Sequence, residues 1–200
     1  MKSSKVTVSH PTLSAVTTRA LLSCHAAHPC PTVAACEVTV IRQREGLALE
    51  YRLSGDISSL RIPAAVAHPG FTDGLWQHTC MEVFIAQADG SSYREFNFSP
   101  SGCWAAYAFS AYRERDLAWA PSASPQLGSH TDTAGWLLQA WLPAEILPES
   151  RDLRLGLSAV LETRNAAISY WALRHPGAKP DFHQRESFCL PLANYPDSDS

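Results

Sequence analysis

Charge is scarce in this 200-residue chain: 16 Lys and Arg and 19 Asp and Glu make up 18% of it, with a net charge of −3. So sparse and even a balance lacks the basic footprint that nucleic acid or an anionic membrane surface requires, and neither is an expected partner. With 46% apolar residues beside it, low charge also excludes global disorder. Methionine is nearly missing, Met81 being the only one beyond Met1. No apolar run approaches the roughly 20 residues of a membrane-spanning helix, so no membrane insertion is expected. The stretch through Leu22 has basic residues but no continuous apolar core of a secretory signal, which places the expected location in the cytoplasm. The cysteines (Cys24, Cys30, Cys36, Cys80, Cys103 and Cys189) include no C-x-x-C pair and no zinc-type spacing. They are therefore expected to be reduced and mostly buried small hydrophobes. G-x-S-x-G, P-loop, G-x-G-x-x-G and H-E-x-x-H signatures are all missing, which points away from catalysis and toward recognition. Nothing specifies an oligomeric state.

What the chain does have is aromatic residues and alternation. Six Trp, six Tyr and seven Phe suit a β core and also supply the flat faces on which rings stack. Period-two segments run over Glu37–Arg44, Leu47–Leu53, Leu60–Pro63, Thr79–Ala86, Tyr93–Ser99 and Cys103–Ser110. Others follow at Leu117–Ala120, Trp136–Leu142, Leu153–Glu162, Ile168–Arg174 and Glu186–Leu190. Gly, Pro, Asp and Ser clusters separate most of them, as in an antiparallel β-sandwich of about 10 strands with little helix. The helical hints are one turn at Pro143–Leu147, with Pro as first helical residue, and a short helix around residues 14–23. Residues 1–35, interrupted by His25, His28, Pro29 and Pro31, read as a loosely ordered lead-in, 36–192 as one domain and 193–200 as a tail.

In the segment Thr79–Ala86, Met81, Val83 and Ile85 share a core-facing stripe, leaving Cys80, Glu82 and Phe84 on the opposite face. A carboxylate between Cys and Phe is expected to be at least half buried and in need of a partner. If Ser99–Gly102 is the whole loop of the next hairpin, Asn97 faces Trp104 and Glu95 faces Ala106. That register puts Glu95, Asn97, Trp104, Ala106 and Ala108 on one cleft-forming side, with Phe96, Phe98, Ala105, Tyr107 and Phe109 filling the core. A plainer alternative is a buried network in which Glu82, Arg94 or Arg113, and Asn97 satisfy one another and fix register. Downstream, His175–Glu186 packs two His, Lys179, Asp181 and Arg185 into a proline-stiffened loop. It suits a cleft rim, a salt-bridged surface loop, or a metal site of His175, Asp181 and His183, although its spacing matches no strong metal motif. A Glu82–Glu95 acid/base pair is the remaining enzymatic option.

The run Gly74-Leu-Trp76-Gln-His78-Thr79-Cys80-Met-Glu82-Val-Phe84 and the hairpin Tyr93–Phe109 resemble the bacterial DOMON-like proteins. So do Tyr112-Arg113, Ser169–Leu173 and His175-Pro176 followed by Lys179-Pro180-Asp181-Phe182-His183. The resemblance covers roughly residues 36–192. It implies a jelly-roll-like sandwich related to the family 9 carbohydrate-binding modules, with a sugar or other small molecule in a cleft made by one sheet and its loops. By the same resemblance Trp76, Glu82, Asn97 and Trp104 take a ligand-contacting role, with Trp171, Lys179, Asp181 and His183 as a weaker extension. No resident cofactor or metal is expected. Haem is the alternative: relatives hold it with Met and His, whereas parity turns Met81 into the core.

Overall fold

The computed structural model describes residues 15–150 and 152–192. Twelve antiparallel strands form two facing sheets. The front sheet contains β1 (Val16–Cys24), β2 (Val33–Gln43), β3 (Gly46–Gly55), β9 (Gly135–Pro143) and β8 (Gln126–Asp132), in that order across it. The back sheet runs β7 (Glu114–Arg115), β6 (Trp104–Ala111), β5 (Tyr93–Phe98), β4 (Cys80–Gln87), β10 (Leu153–Glu162) and β11 (Ile168–Ala172). Short β12 (Leu190–Leu192) pairs with the start of β10. The last residues of β1, Ser23 and Cys24, pair with β11 and join the two sheets along one edge. Among the described residues helix is confined to 3-10 turns, including Ala144–Ile146 where the sequence suggests a turn. Among the described residues no helix is long and apolar enough to cross a membrane.

Alternation explains the layering. Val38, Val40, Leu49, Tyr51, Leu53, Leu138 and Leu142 point back from the front sheet onto Met81, Val83, Ile85, Phe96, Phe98, Leu155 and Leu157. The outer face of the front sheet is wetted by Glu50, Arg52 and Gln139, the pattern of a sheet packed on one side. The back sheet differs: all of β4 up to Ala86 is buried, and so is β10 apart from Arg154. Its outer face is covered by a second cluster, Phe84, Ala86, Tyr93, Ala105, Tyr107 and Phe109, capped by Phe188 and Phe182 from the loop after β11. Gly156 on β10 makes room for that cap, because a Cβ there would lie 2.6 Å from a Phe188 ring carbon. Gly156→Ala is thus expected to lower stability by about 1–3 kcal/mol, read as a shift in the chemical-denaturation midpoint. An unchanged midpoint would mean that Phe188 is free to move aside.

Several expectations need correction. The short helix and loosely ordered lead-in expected before residue 36 are, from Val16 on, strand β1 and the start of β2; residues 1–14 and the tail from 193 lie outside the described residues. Exposure of Leu21 (64%) breaks the alternation of β1 in the sequence. Edge strand β8 is polar and exposed along almost its whole length and so carried no hydrophobic signal. Leu60–Pro63 supplies one isolated bridge, Leu60 to Thr163, and Leu117–Ala120 is a turn region, exposed except for Trp119, which is half-buried beneath Arg94. Near residue 186 the chain makes a 3-10 turn, and the strand follows at Leu190. All six cysteines carry free thiols; Cys30, Cys36 and Cys80 are buried, while Cys189 is exposed.

Candidate functional site

The β5–β6 hairpin decides which side chains face the outside of the back sheet. Cys103 belongs to its loop: the Ser99 amide donates to the Cys103 carbonyl (2.9 Å), and Gly102 adopts a left-handed φ of 89°. The ladder therefore closes at Phe98↔Trp104, with Asn97↔Ala105 and Glu95↔Tyr107. One residue of shift from the simple four-residue loop turns every β6 side chain over. Ala105, Tyr107 and Phe109 consequently sit on the outer face with Glu95 and Asn97, while Trp104 and Ala106 turn inward.

A cavity of about 480 Å³ opens on this face. Its floor is the side-by-side pair of strands β4 and β5, which present Glu82, Phe84 and Glu95. Tyr107, Phe109, Tyr170 and Phe182 give ring walls, and Trp76, Asp73, Arg113, Arg115, Asp181 and His183 form much of the rest. Trp76 is 52% exposed on a 3-10 turn, Leu75–Gln77, that starts from left-handed Gly74.

The floor is acidic and its carboxyl groups are largely buried. Glu82 is 3% and Glu95 5% exposed. The Ser158 hydroxyl donates to Glu82 Oε2 (3.2 Å), and the Asn97 amide nitrogen donates to Glu95 Oε1 (2.8 Å). Burial, and then the charge of Glu95, holds the Glu82 carboxyl well above the usual carboxylate range, against the pull of Ser158. Burial likewise pushes Glu95 up to about 7, against the Asn97 hydrogen bond and the charges of Arg113 and Arg115.

Neighbouring cations are engaged elsewhere. The Arg113 guanidinium bonds Asp181 at 2.9 Å, and Tyr112 donates to the other Asp181 oxygen at 2.6 Å. Those bonds hold the Asp181 carboxyl below its ordinary value despite its burial. Arg115 lies over the Tyr107 ring, 4.1 Å from its centroid, while the Tyr107 hydroxyl donates to Asp73. The Tyr93 oxygen accepts the Arg113 amide (3.1 Å) and gives its proton to His183 Nδ1 (2.8 Å). The network so assigned leaves the ring proton of His183 on Nε2, 3.7 Å from Glu95 Oε2 and beyond hydrogen-bond reach. Burial and then Arg113 take the His183 pKa down to about 4, so the imidazole is neutral at pH 7 and forms no ion pair with Glu95.

The structure thus brings Trp76, Glu82, Asp181 and His183 to one cavity, with Asn97 behind the floor at 0% exposure. Three residues expected there lie elsewhere. Trp104 packs against the inter-sheet core, edge-on to Phe71 at 5.7 Å, because of the hairpin register. Trp171 is buried on the core side of β11 with its indole N–H on the Ser169 hydroxyl (3.1 Å), and its neighbour Tyr170 takes the cavity side. Lys179 is exposed at the loop surface, outside the cavity lining. Glu95 joins Glu82 as the alternation of β5 implies, whereas Ala105, Tyr107 and Phe109 sit where the sequence reading put Trp104, Ala106 and Ala108.

The metal and haem options do not fit these positions. His175 Nε2 is 2.9 Å from the Ser23 carbonyl and its ring contacts His25, apart from Asp181 and His183. Among the described residues no group of three His, Cys, Asp or Glu converges as metal ligands would. Met81 is 0% exposed in the inter-sheet core and turned away from the cavity, so it is not placed to serve as an axial haem ligand there.

No family model matches the chain, and no curated protein matches it. Its fold is similar to the crystal structure of a "putative carbohydrate-binding protein" from Bacteroides uniformis, with a TM-score of 0.59 over 87% of this chain and 85% of that one. Identity is 16%, so the likeness is one of fold. The chain is an antiparallel β-sandwich with a ligand-sized cavity on the outer face of its back sheet.

Proposed function

We propose that this chain is a recognition module whose back-sheet cavity takes a carbohydrate or a sugar-containing small molecule. One observation carries the reading: buried carboxyls with unfilled hydrogen-bonding capacity and several aromatic rings converge on a single cavity of about 480 Å³. Sugars present both hydroxyls and apolar ring faces, and such a lining meets both. On this reading Trp76 and Tyr107 offer stacking faces, Glu82 and Glu95 take hydroxyls, and Asn97 positions Glu95. Asp181, held by Arg113 and Tyr112, and His183 line the rim. The fold neighbour's description and the resemblance to DOMON-like and family 9 carbohydrate-binding sandwiches lend support.

A glycan array with the full chain, followed by titration of any hit, tests it. Trp76→Ala is expected to weaken that binding about tenfold, roughly 1.4 kcal/mol, and to leave stability nearly unchanged because Trp76 is half exposed. A blank array counts against the carbohydrate, and undiminished binding in the variant removes Trp76 from the site.

A further inference from the structure

Three carboxylates on the outer side of the back sheet are almost fully buried, and they are treated differently. Glu162 (4% exposed) has the Arg61 guanidinium at 3.0 Å and His78 at 2.8 Å. Glu82 and Glu95, on the cavity floor, have no cation in contact: Arg113 is bound to Asp181, Arg115 lies on Tyr107, and His183 is neutral at pH 7. The described residues give Glu82 one side-chain hydrogen bond, to Oε2, and Glu95 one, to Oε1. Each therefore keeps an oxygen without a protein donor. Asn97, completely buried on the same face and cross-strand partner of Glu82, adds an Oδ1 with no hydrogen-bond partner. Buried charges are ordinarily paired, and an unfilled pair facing a cavity calls for a cation from outside. The walls suit one as well, since Tyr107, Phe109, Tyr170 and Phe182 line it with aromatic rings, on which cations are favourably placed. Among the described residues no third His, Cys, Asp or Glu converges on the two carboxyls as in a metal site, whereas an ammonium group brings one charge and three donors.

We propose that the ligand presents a protonated amine to the Glu82–Glu95 pair; on the carbohydrate reading, on which this rests, the ligand class is amino sugars. Without ligand the pair retains a proton near neutral pH, and the ammonium group displaces it. The groups facing the pair do not compete for that titration. Tyr51, whose hydroxyl bonds the Glu82 carbonyl, Cys80 and Tyr107 are raised by burial and stay neutral, and His183 is neutral already. Arg113, bonded to Asp181, is held cationic, Arg115 lies on the Tyr107 ring, and Asp73 is bonded by Tyr107.

Calorimetric titration of the full chain at pH 7 with D-glucosamine, D-glucose, cyclohexylamine and cyclohexanol tests this. D-glucosamine is expected to bind at least about tenfold tighter than D-glucose, and cyclohexylamine tighter than cyclohexanol. Amine binding is expected to release protons to the buffer, detected by repeating the titration in a buffer of different ionisation enthalpy. The double variant Glu82→Gln/Glu95→Gln is expected to lose the amine preference and the proton release. Glucose binding as tightly as glucosamine overturns the amine and leaves the carbohydrate standing. Cyclohexylamine binding where no sugar binds does the reverse. No binding of any of the four overturns both.

Discussion

Glu95→Gln is expected to raise the unfolding free energy by about 3 kcal/mol at pH 8 and to change it little at pH 4. The carboxyl of Glu95 is raised by burial to about 7 in the folded chain, against about 4.5 when solvated. Below pH 4.5 the folded and unfolded states both hold the proton, and burial of the neutral acid carries no charge penalty. As pH rises from 4.5 to 7 the unfolded chain gives up its proton and the folded chain keeps it, so the unfolded state is increasingly favoured. Above 7 the loss levels off. A shift of about 2.5 units at 1.36 kcal/mol per unit sets the size. The Gln amide oxygen preserves the acceptor for the Asn97 amide, 2.8 Å away in the native site, so the substitution removes charge with little change of shape. Glu82, also raised, adds a loss of the same sign to the native protein. Urea unfolding of both proteins from pH 4 to 8 should give a falling curve for the native chain and a flatter one for the variant. Parallel curves would mean that Glu95 is solvated or compensated, and the buried acidic floor would be wrong.

The same floor was partly legible in the sequence. The stripe Met81, Val83 and Ile85 is so apolar that it fixes the parity of β4, and Glu82 then has to face away from the core. Asp181 and His183 stand out because two prolines and many polar groups crowd one loop, and that loop does close the cavity. Lys179, in the same run, turns to water; local composition does not encode which way a loop side chain points. Trp171 and Tyr170 are adjacent on β11, and only the pairing Ala159↔Trp171 and Val160↔Tyr170 with β10 tells which one faces the core. Long-range register of that kind is not written in a single strand. Strands β1 and β8 were illegible for other reasons: exposed Leu21 interrupts the alternation of β1, and the edge strand β8 is polar and exposed along almost its whole length. The acids without cations emerge only in three dimensions, where Arg113 is seen to choose Asp181.

Trp104→Ala is expected to cost about 2–3 kcal/mol of stability while leaving ligand affinity within about twofold. Had the hairpin loop ended at Gly102, the indole would lie over the cavity, and its removal would abolish binding in a stable fold. The ladder instead pairs Trp104 with Phe98, which puts the indole on the inter-sheet side beside a fully buried ring. Full Trp or Phe truncations in cores cost about 3–5 kcal/mol, and partial exposure of Trp104 reduces that figure. Its backbone also anchors the loop leading to Trp76: the Trp104 amide donates to Gly70, and the Thr72 amide donates to the Trp104 carbonyl (2.8 Å). Those bonds survive the substitution, as does the tie between Tyr107 and Asp73, so the cavity wall stays in place. The measurement is a paired one, with unfolding midpoint and ligand titration made on the same preparation. A stable variant that no longer binds would move Trp104 back to the cavity face and, by the alternation of β6, turn Tyr107 and Phe109 into the core. Loss of stability with binding retained assigns the ring walls to Tyr107 and Phe109 and leaves the Glu82–Glu95 floor beneath them.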